Sequence, residues 1–298
     1  MQRALCPILV GRDDELARLE DALLAAHRGD GSVVLLSGEA GIGKSRLAED
    51  LERRARLAGM TVMRGGCSDA EFAVPYLPVV EAVGNSLTGA DLKALVRELG
   101  SAVHELARLF PQLGTPRGRV PDDPAQGKAR LFESILTLLR IESAEQGLLL
   151  LIEDLHWADG ATLDFLDYAQ RRLPRERMLL LLTSRVEDLE ESQRLARLLA
   201  SWRRTGAAEI IDLEPLRPEH VGAMVNAIFE GHRVGQAFTD FLQARTEGNP
   251  FAVEELLKAA LDRGDIFRSD LGWGRKALTD FAPPRTIKDL VLSRVARL

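Results

Sequence analysis

The chain has 298 residues, a length that indicates two domains or one large domain with a lid. Hydrophobic residues make up 46% and charged residues 28%, which excludes wholesale disorder and supplies a sizeable core. The formal net charge is −6, from 39 Lys plus Arg against 45 Asp plus Glu, so the chain as a whole gains no attraction to phosphate backbones and direct duplex DNA binding is not expected.

The longest apolar runs, residues 148–152 and 178–182, fall far short of the roughly 18 residues a membrane helix needs, and residues 1–10 carry no signal-peptide pattern. A cytoplasmic protein without a membrane partner is expected. Cys6 and Cys67 stand alone, which points to neither a disulfide framework nor a zinc site.

Taken in chain order, five short apolar segments, at 32–37, 61–64, 148–153, 178–183 and 209–213, alternate with amphipathic stretches. Continuous apolar strands between helices predict a parallel sheet covered on both faces. Helical spacing runs over 14–27 (Leu16, Leu19, Leu23, Leu24) and 45–57 (Leu47, Leu51, Leu57). The long connection between the second and third strands holds three helical patterns, at 78–87, 90–110 and 126–143, with an exposed loop over 111–124 rich in Pro and Gly. Beyond Leu213 the alternation ends and the pattern turns helical, at 218–230, 236–246 and 250–262. The expected division is an α/β domain over 1–213, a helical lid over 214–280, and the start of a further, winged-helix-like module over 281–298. Helical spacing at 286–298 stops without a cap, so the natural chain is expected to continue past Leu298.

Gly38-Glu39-Ala40-Gly41-Ile42-Gly43-Lys44-Ser45 fits the phosphate-loop pattern GxxxxGK[ST], between an apolar strand and a helix. In that setting backbone N–H groups cradle phosphate oxygens, the helix N-terminus adds positive potential, Lys44 reaches the β and γ phosphates, and the Ser45 hydroxyl ligates Mg²⁺. Such a loop needs an acid for its metal. Glu153 and Asp154 end the apolar run 148–152, where ligands bind in open α/β sheets; one carboxylate can orient Mg²⁺ while the other positions or deprotonates the attacking water. Thr183, Ser184 and Arg185 end the next strand, and the planar fork of Arg185 suits a γ-phosphate sensor. Weaker candidates are His156 and Trp157, read as packing that fixes the loop, and Arg171 and Arg172, read as a solvated basic helix end rather than an arginine finger.

The set formed by Val10-Gly11-Arg12-Asp13-Asp14-Glu15-Leu16, the phosphate loop through Arg46 and Leu47, the stretch 148–159, Thr183-Ser184-Arg185 and Glu247-Gly248-Asn249-Pro250-Phe251 resembles the nucleotide-binding module of STAND-class signal-transduction ATPases within the AAA+ superfamily. It is most similar to the module of the bacterial LuxR-type large ATP-binding regulators. The resemblance implies a three-layer α/β P-loop NTPase with a five-stranded parallel sheet, in which the strand ending at Arg185 lies between the acidic strand and the strand leading into the loop. It implies that Gly11 and Arg12 lie beside the nucleotide together with the loop and Arg46, that Glu153 and Asp154 hold Mg²⁺ and the water, that Arg185 senses the γ-phosphate, and that Pro250 touches the adenine. The usual first acid is Asp, whereas the order here is Glu153 then Asp154, and which acid serves the metal stays open. The implied function is an ATP/ADP switch with slow Mg²⁺-dependent hydrolysis in a transcription regulator, answering to an inducer or protein partner through downstream domains and self-associating with ATP. The competing readings are a steady-turnover ATPase of the origin-loading or remodelling kind, and a substrate kinase, for which no cosubstrate signature is present.

Overall fold

The computed structural model describes residues 5–69, 74–88, 91–116, 123–185, 187, 192–230, 234–269 and 272–277. The expected module at 281–298 lies outside the described residues. The apolar runs form five parallel strands, β1 (Ser32–Gly38), β2 (Thr61–Gly66), β3 (Leu148–Glu153), β4 (Met178–Arg185) and β5 (Glu209–Asp212), in the order β2-β3-β4-β1-β5. The strand ending at Arg185 thus lies between the acidic strand and the strand leading into the loop, as expected. The three inner strands are buried along almost their whole length, while the edge strands β2 and β5 are only partly so. Unbroken leucine runs are therefore tolerated inside the sheet, because both faces are covered.

Around the sheet lie α1 (Asp13–Arg28), α2 (Lys44–Leu57), α3 (Leu77–Leu87), α4 (Leu92–Leu99), α5 (Val103–Leu106), α6 (Pro124–Ser143), α7 (Gly160–Gln170) and α8 (Gln193–Thr205). The spacing predicts one helix over 90–110, but the structure breaks it at Gly100. Asp91 caps α4 by accepting from the N–H groups of Lys93 and Ala94, and Gly100 closes it with φ 56°, after which only a 3-10 turn and the short α5 follow. No helix is expected at 193–205 from the reading above, yet α8 buries Leu195, Leu199 and Trp202 on one face, a spacing of i, i+4 and i+7.

The chain divides into two compact units. The first comprises residues 14–38 and 48–212, with the sheet and its flanking helices around a core that includes Leu35, Leu150, Leu182, Phe132, Phe165 and Trp202. The second is assembled from three separated segments, Met1–Asp13, Glu39–Leu47 and Leu213–Leu298. It contains α9 (Pro218–Ile228), α10 (Gln236–Thr246) and α11 (Pro250–Asp262), packed through Val221, Val225, Phe238, Leu242, Val253 and Leu257. No strand is expected after Leu213, but β6 (Ile266–Ser269) and β7 (Gly272–Arg275) form an antiparallel hairpin. Two four-residue strands are too short to show periodicity, and the pairing brings the Trp273 ring 4.8 Å from that of Phe229. Among the described residues no helix is long and apolar enough to cross a membrane.

Close approach of α3 to β2 sets a demand on one glycine. A Cβ on Gly65 would stand 1.8 Å from the Pro78 carbonyl oxygen, whereas one on the adjacent Gly66 meets nothing within 4 Å. Gly65→Ala should therefore cost about 1–3 kcal/mol in urea unfolding, and Gly66→Ala should cost clearly less.

Candidate functional site

The loop from Gly38 to Ser45 owes its shape to its glycines. Gly41 (φ +76°) and Gly43 (φ +107°) adopt backbone angles that L side chains rarely take, and a Cβ at Gly43 would enter open space. The requirement at Gly43 is therefore conformational, and the space beside it is open to a ligand. The Ile42 side chain is buried, and its N–H donates to the Glu39 carbonyl at 3.3 Å. Helix α2 starts at Lys44, so the loop ends in N–H groups of a first helical turn, which lack intrahelical acceptors and favour an anion. Lys44 is buried and donates its ammonium to the Glu39 carbonyl at 2.8 Å, while Ser45 is exposed. This donor set fits a polyphosphate.

The other expected nucleotide residues of the same unit are placed as follows. Gly11 is left-handed (φ +61°), and a Cβ there would come within 2.4 Å of His220 Nδ1. Arg12 is buried, and its Nη2 donates to the carbonyls of Ile42 (3.1 Å) and Glu214 (2.7 Å). Arg46 donates instead to the carbonyls of Cys6 and Ile8 and lies 3.8 Å from Glu254. Pro250 opens α11, where a missing N–H costs nothing. Asn249, which the sequence reading quotes only as part of a motif, caps that helix and also donates to the Ala40 carbonyl at 2.9 Å.

In the sheet unit, Glu153 ends β3 and is engaged by Arg64, a residue that the sequence reading does not single out. Both Nε (2.7 Å) and Nη2 (2.5 Å) of Arg64 meet the same oxygen, Oε2, and Glu52 and Glu49 of α2 lie 3.3 and 3.7 Å from the guanidinium. Burial works against the charge of Arg64, but Glu153, Glu52 and Glu49 outweigh it and hold the proton more tightly than usual. Asp154 turns left-handed (φ 57°, ψ 48°), and its N–H donates to Thr183 Oγ1 at 3.0 Å, so β4 pins the backbone of the second acid. Arg185 faces Gly38 in register and carries its guanidinium 5.1 Å from the centre of the Trp157 ring. His156 is buried with its ring centre 4.5 Å from that of Trp157 and its Nε2 3.9 Å from Asp154 Oδ1. Arg171 pairs with Asp167, and Arg172 pairs with Glu133 while lying over the Tyr168 ring.

A family model described as an AAA ATPase domain matches residues 8–182. The chain belongs to the AAA ATPase domain family. An uncharacterized protein of Rhizobium meliloti (strain 1021) is 28% identical over 265 residues, which cover 83% of this AAA ATPase chain and 24% of the relative. The chain thus spans about a quarter of that relative's length. Among solved structures, AMPPCP-bound DnaA from Aquifex aeolicus aligns with TM-score 0.50 and 14% identity, over 86% of this chain and 64% of DnaA. A Signal Transduction ATPase with Numerous Domains (STAND) protein with a tetratricopeptide repeat sensor, from Pyrococcus horikoshii, aligns with TM-score 0.48 and 17% identity, over 85% of this chain and 30% of its own. The strand order and the likeness to DnaA place the AAA ATPase in the three-layer α/β P-loop NTPase fold.

Cys67 directly follows β2, and its N–H donates to the Glu153 carbonyl at 2.9 Å. Burial, and after it the charges of Asp159, Asp154 and Glu81, push its thiol up to about 12, and burial also raises Cys6. The thiolate is the reactive form, so a raised value suppresses reaction at ordinary pH. Ellman's reagent at pH 8 should find well under one thiol in the native protein and two after denaturation in urea.

Proposed function

We propose that the chain is the ATP- and ADP-binding switch module of a larger STAND-class ATPase, a cytoplasmic bacterial transcription regulator of the LuxR-type large family, with slow Mg²⁺-dependent hydrolysis. The proposed division is an α/β nucleotide domain over 1–213, a helical lid over 214–280 and the start of a further module over 281–298. One observation carries the reading: the phosphate loop shares a compact unit with α9, α10 and α11, and its carbonyls are held by Arg12 and by Asn249 at the start of α11. A charge bound in the loop therefore acts on groups that are themselves part of the helical unit, which is what a switch requires. Inducer recognition, self-association with ATP and DNA reading belong to the whole protein in this proposal. The net charge of −6 argues against duplex binding by these 298 residues.

In the proposed roles, the amides of the loop and the first turn of α2 receive phosphate oxygens, and Lys44 transfers its ammonium from the Glu39 carbonyl to the phosphates. Gly11, Arg12 and Pro250 stand on the nucleoside side, and Arg46 steadies the segment before Gly11 through Cys6 and Ile8. Ser45 in the loop and Glu153 at the end of β3 are each proposed as an oxygen ligand for Mg²⁺, which would neutralise phosphate charge and organise water. Glu153, fixed by Arg64, suits a stationary ligand. The half-exposed Asp154, its backbone fixed by Thr183, orients the attacking water, and Arg185 reads the γ-phosphate.

Lys44→Ala should lose most ATP affinity in calorimetry while Lys93→Ala binds normally; equal affinity of Lys44→Ala and wild type would sink the assignment. Asp154→Asn should keep ATP binding and lose hydrolysis by about two orders of magnitude or more, read by phosphate release. Normal turnover in that variant would reassign the two acids. Fast, steady turnover in the wild-type chain would favour a remodelling or loader ATPase over a switch.

A further inference from the structure

We propose that Asn249 is a positioning residue for the phosphate loop, holding the Ala40–Gly41 peptide so that its N–H faces the phosphate side. The inference rests on the reading of Gly38 to Ser45 as a nucleotide loop and adds to it a residue of the helical segment that shapes the binding surface.

The side-chain amide of Asn249 makes two bonds of opposite sense. Oδ1 accepts from the Ala252 N–H at 3.2 Å, capping α11, and Nδ2 donates to the Ala40 carbonyl at 2.9 Å. Only one orientation of the amide satisfies both. The residue is 8% exposed, so neither bond is easily replaced by water. Next to it, the Phe251 N–H, which has no acceptor within its own helix, donates to the Gly41 carbonyl at 3.3 Å. Arg12 takes the third carbonyl, that of Ile42. Three consecutive loop carbonyls are thus bound from outside the loop. In a planar trans peptide the N–H points opposite to the C=O, so holding the Ala40 carbonyl sets the direction of the Gly41 N–H, and holding the Ile42 carbonyl sets that of the Gly43 N–H. The packing supports the same contact: a Cβ on Gly41 would lie 2.7 Å from Phe251 Cβ and 3.1 Å from Asn249 Oδ1. Gly41 is therefore required both by its backbone angle and by the first turn of α11 resting on it.

Cap and tether can be separated by substitution. Asn249→Ser keeps a good N-cap oxygen but is too short to reach the Ala40 carbonyl and adds no charge. Its urea midpoint should fall by no more than one lost hydrogen bond explains, while ATP and ADP both bind about tenfold more weakly in calorimetry, by a similar factor because the loop serves both. Lys44→Ala is measured alongside. Loss of affinity in Lys44→Ala together with wild-type affinity in Asn249→Ser would overturn the positioning role alone. Undiminished affinity in Lys44→Ala would remove the nucleotide reading and this inference with it. Should Asn249→Ser fail to fold, Asn249→Thr, which also keeps an N-cap oxygen, lacks the amide donor and adds no charge, takes its place under the same criterion.

Discussion

Burial of the inner strands on both faces is the constraint from which the placement of chemistry in the sheet unit follows. A polar side chain in the middle of β1, β3 or β4 would face packed hydrocarbon with no partner, at a cost of a few kcal/mol. Polar groups are consequently pushed to where the strands stop. Glu153 and Asp154 stand at the end of β3, Thr183, Ser184 and Arg185 at the end of β4, and Gly38 at the end of β1, opposite Arg185 in register. The same rule explains why Thr183, though buried, is tolerated: its hydroxyl takes the N–H of Asp154 and so welds two strand ends together.

Charge follows a comparable logic at the edge of the sheet. Arg64 is set among Glu153, Glu52 and Glu49, and Glu52 is shared with Arg56 at 2.6 Å, so acids and guanidiniums form one ion-pair network. Two guanidinium nitrogens of Arg64 meet Oε2 of Glu153, which orients the carboxylate. On the loop side the order of charges is reversed: an ammonium and a guanidinium are held by backbone carbonyls.

Most of the sheet was legible because buried parallel strands write themselves as unbroken Leu and Ile runs, and the loop was legible because its glycines and Lys44 have fixed spacing. Arg64 and Asn249 were not, since their partners lie 89 and 209 residues away and no local pattern records such contacts. The split of 90–110 was visible in principle, as Gly100 sits where a helix ends, but the apolar spacing on either side continues in phase and masks it. The hairpin of β6 and β7 was hidden for the opposite reason, each strand being too short to display alternation. Arg12 was singled out by resemblance alone, and its bonds to Ile42 and Glu214 are a matter of tertiary structure.

The unit that carries the loop is built from segments near residues 12, 42 and 250, and this sets an order of events during synthesis. Residues 39–47 leave the ribosome long before Asn249 and Phe251 exist, and at 5–20 residues per second the interval is roughly 10 to 40 s. Throughout that time the Ala40 and Gly41 carbonyls lack their native donors. The sheet, whose last strand ends at Asp212, can by contrast be completed before α10 and α11 emerge. The nascent chain therefore passes through a stage with a finished sheet and a phosphate loop still without its tethers, which arrive only with the first turn of α11.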